Sequence, residues 1–200
     1  MAFALNWRES SSVAPYVPTP LNIVRKMLEI VEAGSDDILY DLGCGDGRIL
    51  FSAVEDFNVK KAVGYELNPI MHKAVLKKVE DKGLRDRVEV INGNFFFADL
   101  SPASVITLYL TTSGNSKLKP KFESELRKGT RIVSHDFPIN GWKPIKPNLP
   151  NYFDVSSHRI YLYRVPESYQ EGSEVQNTST DESNWRRIRN LLKLEKKSGA

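Results

Sequence analysis

The sequence predicts a single α/β domain built on a mostly parallel sheet with helices on both faces. Two observations carry that prediction. From residue 38 onward, short apolar strands alternate with helical patterns, the order that buries a parallel sheet between two helical layers. The first strand also runs directly into a glycine-rich turn, Gly43-Cys44-Gly45-Asp46-Gly47, with a helix opening at Arg48. A chain of 200 residues with 40% apolar content is enough for one such core, with length left over for a tail.

Residues 1–14 show no sustained periodicity and are expected to form a flexible arm. Three prolines then stiffen Pro15-Tyr16-Val17-Pro18-Thr19-Pro20 into an extended loop, because proline restricts both itself and the residue before it. Thr19 is placed to cap the next helix, with Pro20 in its first turn. Ile23, Val24, Met27, Leu28 and Val31 repeat there at helical spacing, and Gly34 ends the run. Strands follow at 38–42, 61–66, 88–91, 104–110 and 130–134, with helices at 48–56, from Pro69 to Gly83, and at 115–126, the last interrupted by Pro120. Two short alternating segments, 152–156 and 159–165, fit a closing hairpin. Seven strands ending in a hairpin match the Rossmann-like seven-stranded class I methyltransferase arrangement, by analogy of fold. The domain is therefore expected to span 15–165. Residues 166–184 are polar and acidic, a linker by composition. Residues 185–197 read as a basic amphipathic helix with Trp185, Ile188, Leu191 and Leu192 on one side.

Composition excludes several classes. The lone Cys44 leaves no intramolecular disulfide and no cysteine-based metal cluster. The first twenty residues lack the pattern of a secretory signal, and no window approaches the ~20 apolar residues of a membrane helix. A cytoplasmic protein with no membrane contact is expected. A net charge of +3 does not by itself mark a nucleic-acid binder, and nucleic acid is expected only through the basic 185–197 helix.

The turn after the first strand carries the chemistry. A dinucleotide site reads G-x-G-x-x-G; here the spacing is G-x-G-x-G, and Asp41 stands two residues before Gly43. A carboxylate there repels a pyrophosphate and suits an ammonium group. S-adenosylmethionine offers that ammonium, a second positive charge on sulfur, and a carboxylate for the backbone amides of the turn and helix start. Glu66, at the end of the second strand, is placed to accept ribose hydroxyls. In Asn92-Gly93-Asn94-Phe95, the Asn94 amide has donor and acceptor together for the adenine edge, and Phe95 can cover the ring.

Four segments carry a resemblance to a known family: the 15–20 loop, the 41–49 turn, Gly93-Asn94-Phe95-Phe96, and Gly129-Thr130-Arg131-Ile132-Val133-Ser134-His135-Asp136-Phe137. Together they resemble the archaeal protein lysine methyltransferases, related in turn to the catalytic core of the telomeric-silencing-type histone lysine methyltransferases, which lack a SET domain. The likeness runs over 15–165. It implies that Tyr16 and Thr19 fold over S-adenosylmethionine, that Asp41, Gly43, Gly45, Glu66 and Asn94 bind it, and that methyl groups pass to lysine ε-amines of proteins, often chromatin proteins. The tail after Pro166 and the polar, flexible-looking Thr111-Thr112-Ser113-Gly114 depart from the family pattern.

A lysine amine has an ordinary pKa of ~10.4 and must be neutral to attack. Desolvation and a neighbouring cation both lower that value, so no acid–base residue is predicted. Tyr16, Tyr109, Phe137 and Trp142 are the candidates for an aromatic acceptor channel. Asp99 and Asp136 are too few for a metal-dependent catechol-type site, so no metal is expected. An amide or adenine methyltransferase motif is missing after the fourth strand; a small-molecule N- or O-methyltransferase is the alternative. His135 and Asp136, as strand neighbours, are expected to point to opposite faces and not to pair. Arg48 reads as an ion-pair residue.

Overall fold

The computed structural model describes residues 14–146 and 148–169. In chain order the elements are α1 (Leu21–Ile30), β1 (Ile38–Leu42), α2 (Arg48–Glu55), β2 (Lys61–Glu66), α3 (Pro69–Asp81) and β3 (Val88–Asn92). A 3₁₀ turn (Phe95–Phe97) follows, then β4 (Val105–Leu108), α4 (Thr112–Glu125), β5 (Arg131–His135), β6 (Phe153–Val155), β7 (His158–Arg164) and a 3₁₀ turn at Glu167–Tyr169. One seven-stranded sheet has the order β3-β2-β1-β4-β5-β7-β6. The first five strands are parallel, and β7 runs antiparallel to both β5 and β6. This is the Rossmann-like seven-stranded arrangement the element pattern predicts.

Alternation along the central strands divides the core in two. Leu39 of β1 and Val105 of β4 join Ile23, Met27, Leu28, Leu50 and Val75 in one cluster. Tyr40, Leu42 and Ile106 face the other way and pack with Leu118, Phe122, Trp142 and Tyr163. In β1 only Ile38 is less than buried, as expected of a strand covered on both faces. The strand order reverses between β1 and β4, and a crevice opens beyond the carboxyl ends of strands at such a point.

Several boundaries depart from the sequence expectation. Thr19 does not cap α1: Pro20 holds that position without a side-chain cap bond, and the Thr19 hydroxyl lies 3.2 Å from His135 Nδ1 instead. The strand expected over 104–110 stops at Leu108. The polar Thr111-Gly114 stretch, expected to be flexible, is the capped first turn of α4, where Thr111 Oγ1 accepts from the Gly114 amide at 3.0 Å. Pro120 lies inside this continuous helix and does not interrupt it. The packed domain continues past Val165, because Ser168 is fully buried and the Tyr169 ring stacks 4.6 Å from that of Trp142. Residues 170–200, and with them the expected basic helix, lie outside the described residues, as does the arm before Ala14. Among the described residues no helix is long and apolar enough to cross a membrane.

Candidate active site

The parallel register of β1 and β4 sets Asp41 beside Thr107. Thr107 Oγ1 donates to Asp41 Oδ1 at 2.7 Å. Asp41 is nearly inaccessible, and burial pushes its carboxyl up to about 7; the Thr107 bond works in the opposite direction, and the charges of Glu66 and Asp46 add to the rise. On the neighbouring strand, two residues past Gly64 (the register partner of Asp41), β2 ends at Glu66, whose two oxygens accept from the Gly45 amide (2.9 Å) and the Asn68 amide (2.7 Å).

The glycine turn does not form the anion cradle that its sequence suggests. The Gly43 and Cys44 amides both donate to the Tyr65 carbonyl, at 3.0 and 2.9 Å, prolonging the β1–β2 ladder. The Gly45 amide goes to Glu66. What the glycines supply is room. Gly45 has φ +56°, and a Cβ there would lie 2.7 Å from Cε2 of Tyr16. The 15–20 loop therefore approaches the turn as closely as a hydrogen atom allows.

Arg48 holds that loop in place. Its guanidinium pairs with Asp46 through two donors, at 2.9 and 2.6 Å, and Nη1 donates to the Thr19 carbonyl at 2.7 Å. Burial opposes ionisation of Asp46, but the hydrogen bonds and charge of Arg48 outweigh it and keep this carboxyl below the usual range. Burial raises the Tyr16 hydroxyl, with the Asp46 charge next in effect.

These parts enclose a cavity of about 290 Å³. Tyr16 and Thr19 line it from the loop, Asp41, Gly43 and Gly45 from β1 and its turn, and Glu66, Asn94 and Phe95 from the ends of β2 and β3. All the cofactor residues read from the sequence thus meet at one site. Asn94 has an added duty: its Oδ1 accepts from the Phe96 amide at 3.0 Å and caps the 3₁₀ turn.

The aromatic candidates separate. Tyr16 and Tyr109 line the cavity. Phe137 is fully buried, its ring 6.3 Å from that of Tyr109 and not among the lining residues. Trp142 is no channel residue: it is fully buried between Phe122, Tyr163 and Tyr169, and its indole N–H donates to Glu123. His135 and Asp136 also correct the expectation. Asp136 has φ +59°, which ends strand alternation at that residue and turns its carboxylate back toward its neighbour. Asp136 Oδ2 lies 3.4 Å from His135 Nε2 and 2.9 Å from His158 Nδ1. Sequence reasoning overlooked Thr107 and His158, both hidden within strands until register is known. It also passed over Asp46, whose spacing from Arg48 was a readable signal.

The charge pattern tests the ligand. Asp41, Asp46 and Glu66 all line the cavity, and Arg48 is committed to Asp46 and Thr19. A buried carboxylate shifted this far upward gains from a cationic partner. A pyrophosphate would meet repulsion, whereas an ammonium plus a sulfonium fit.

Comparison with known proteins agrees. A family model described as the ANTKMT methyltransferase domain matches residues 41–146. A protein-lysine N-methyltransferase of Saccharolobus islandicus (strain REY15A) is 51% identical over 153 residues, covering 76% of this chain and 94% of that protein. The chain belongs to the ANTKMT methyltransferase family. A mouse (Mus musculus) family relative, the adenine nucleotide translocase lysine N-methyltransferase, is 30% identical over 131 residues, 66% of this chain and 56% of that protein. A crystal structure described as an RNA methyltransferase from Salinibacter ruber, in complex with S-adenosyl-L-homocysteine, superposes with a TM-score of 0.72 at 39% identity. It covers 78% of this chain and 98% of that one. By fold and family the chain is thus a class I methyltransferase, with S-adenosylmethionine as its methyl donor.

Proposed function

We propose that this chain transfers methyl groups from S-adenosylmethionine to lysine ε-amines of proteins, with several proteins, chromatin proteins among them, as acceptors. The observation that carries the reading is the 51% identity to the Saccharolobus protein-lysine N-methyltransferase along 94% of its length. The mouse relative is also named for lysine methylation. Chromatin proteins enter as acceptors through the resemblance of the archaeal enzymes to the telomeric-silencing-type core.

When bound, S-adenosylmethionine supplies a methyl group made electrophilic by its sulfonium sulfur. Asp41 would hold the ammonium, Glu66 the ribose hydroxyls, and Asn94 with Phe95 the adenine. Tyr16 and Thr19, locked through Asp46 and Arg48, close the loop over the cavity and exclude water. The carboxylates lining the cavity are Asp41, Asp46 and Glu66, and each has one of these duties, so none is left as a general base. That suits a lysine amine. Tyr16 and Tyr109 present ring surface at the cavity, and desolvation there favours the neutral, nucleophilic amine. The chain's contribution is alignment and water exclusion.

The test is to incubate the purified chain with methyl-labelled S-adenosylmethionine and, separately, basic chromatin proteins, a bulk protein extract and RNA, followed by acid hydrolysis. The expected label is in methylated lysine. Label in RNA alone, or confined to small molecules, would overturn the reading.

A further inference from the structure

We propose that His135, Asp136 and His158 form a binding site for a divalent transition metal of the zinc class, placed behind the acceptor side of the cavity. The three residues come together because β5 ends at His135 while its antiparallel partner β7 begins at His158. The φ of +59° at Asp136 swings its carboxylate into the same space. Their nearest ligand atoms form a triangle. His158 Nδ1 is 2.9 Å from His135 Nε2 and 2.9 Å from Asp136 Oδ2, and the remaining edge is 3.4 Å. The corners of that triangle lie about 1.8 Å from its centre, so a cation about 1 Å out of the plane sits about 2.1 Å from all three, the zinc–imidazole and zinc–carboxylate bond length.

Protons on the two ring nitrogens can serve two edges of this triangle but not all three. A ring nitrogen carries one proton in the ring plane and cannot direct it along two edges of a triangle at once. Two imidazole nitrogens and a carboxylate oxygen this close together offer a ligand set suited to zinc.

The surroundings agree with metal binding. A metal on Nε2 of His135 requires the proton on Nδ1, and Nδ1 has a waiting acceptor in Thr19 Oγ1 at 3.2 Å. The second carboxylate oxygen, Asp136 Oδ1, is oriented by the Arg159 amide at 2.9 Å. Metal-bound histidines and carboxylates are held by such outer contacts. His135 is fully buried and Asp136 nearly so, whereas the His158 side chain keeps 10% of its surface open, which provides an entry.

The site has a place in the architecture. His135 reaches Thr19 on the loop that covers the cavity, and its ring stacks 3.9 Å from that of Tyr109, which lines the cavity. A metal there fixes the imidazole against which both pack, so it is a structural centre that holds loop and cavity wall in register. It takes no part in methyl transfer, and its test does not depend on the acceptor.

The test uses the full, tag-free chain, stripped with a chelator and titrated calorimetrically with Zn²⁺, and with Co²⁺ as a spectroscopic probe. The expected result is one saturable equivalent, ligand-field bands with Co²⁺, and a higher unfolding temperature in the metal-bound chain. The chain has three histidines, so His72→Gln serves as the control that keeps binding. His158→Gln and Asp136→Asn should each lose at least about a hundredfold in affinity, with circular dichroism confirming that they fold. Failure of the wild-type chain to bind either ion saturably overturns the proposal without reference to any variant, as does unchanged affinity in folded His158→Gln.

Discussion

Replacing Thr107 with valine removes the hydroxyl that donates to Asp41 at 2.7 Å while keeping the strand's shape. The carboxylate it supports is buried and already pushed up to about 7 by desolvation, with Glu66 and Asp46 adding repulsion. A hydrogen bond to a charged group is worth about 1.5–3 kcal/mol, so affinity for S-adenosylhomocysteine at neutral pH should fall about tenfold to a hundredfold. The pH dependence follows with its sign. Only ionised Asp41 attracts the ligand's ammonium, so wild-type affinity is level above about 7 and drops about tenfold for each unit of pH below it. In Thr107→Val the break moves to higher pH, because the bond that lowered the Asp41 value is gone. The free protein behaves in the opposite way: a carboxyl whose folded pKa exceeds its unfolded value is stabilised by protonation. That contribution is lost as pH rises from about 4 to about 7. Calorimetric titration with S-adenosylhomocysteine from about pH 5.5 to about pH 8.5 measures both curves. Wild-type affinity that does not vary over this range, or an unshifted break in Thr107→Val, would refute the reasoning.

Other substitutions probe the remaining supports. Gly45→Ala places a Cβ 2.7 Å from the Tyr16 ring at a φ of +56° and should weaken ligand binding at least about tenfold by displacing the loop, read by the same titration. Arg48→Met frees the Thr19 carbonyl and removes the ion-pair partner of Asp46; affinity should fall about fivefold to tenfold with a smaller change in unfolding temperature, because the ion pair is partly solvated. Trp142→Ala should cost about 3–5 kcal/mol of stability in denaturant unfolding while leaving affinity per folded molecule unchanged. A binding defect without destabilisation would return Trp142 to the acceptor channel.

Much of this architecture is legible in the amino-acid order, for identifiable reasons. β1 is an apolar run closed by Gly43 and β3 one closed by Asn92-Gly93, and Asp41, Glu66 and Asn94 lie at or next to strand ends. Local pattern is sufficient there. It fails where long-range register decides. Thr107 reads as one more β-branched strand residue until pairing sets it beside Asp41, and His158 is unremarkable until β7 docks on β5. Asp136 defeats the alternation rule through one left-handed backbone angle. Thr19 has the composition of a helix cap, yet its hydroxyl is drawn to His135. Trp142, one of four aromatic candidates for the acceptor channel, is turned by the chain into the core between Phe122 and Tyr163. The glycine turn misleads in a finer way. Its sequence marks the right place, but its amides serve the β1–β2 ladder and Glu66, so it acts through the space it leaves.

The central claim is that the methyl donor lies between Asp41 and Glu66 beneath the 15–20 loop. A crystal structure of the chain soaked with S-adenosylhomocysteine tests it directly. The account predicts the ligand's ammonium within hydrogen-bond reach of Asp41, its ribose hydroxyls on Glu66, and Tyr16 still seated against Gly45. A ligand bound elsewhere, or one bound here with its ammonium turned away from Asp41, would contradict it.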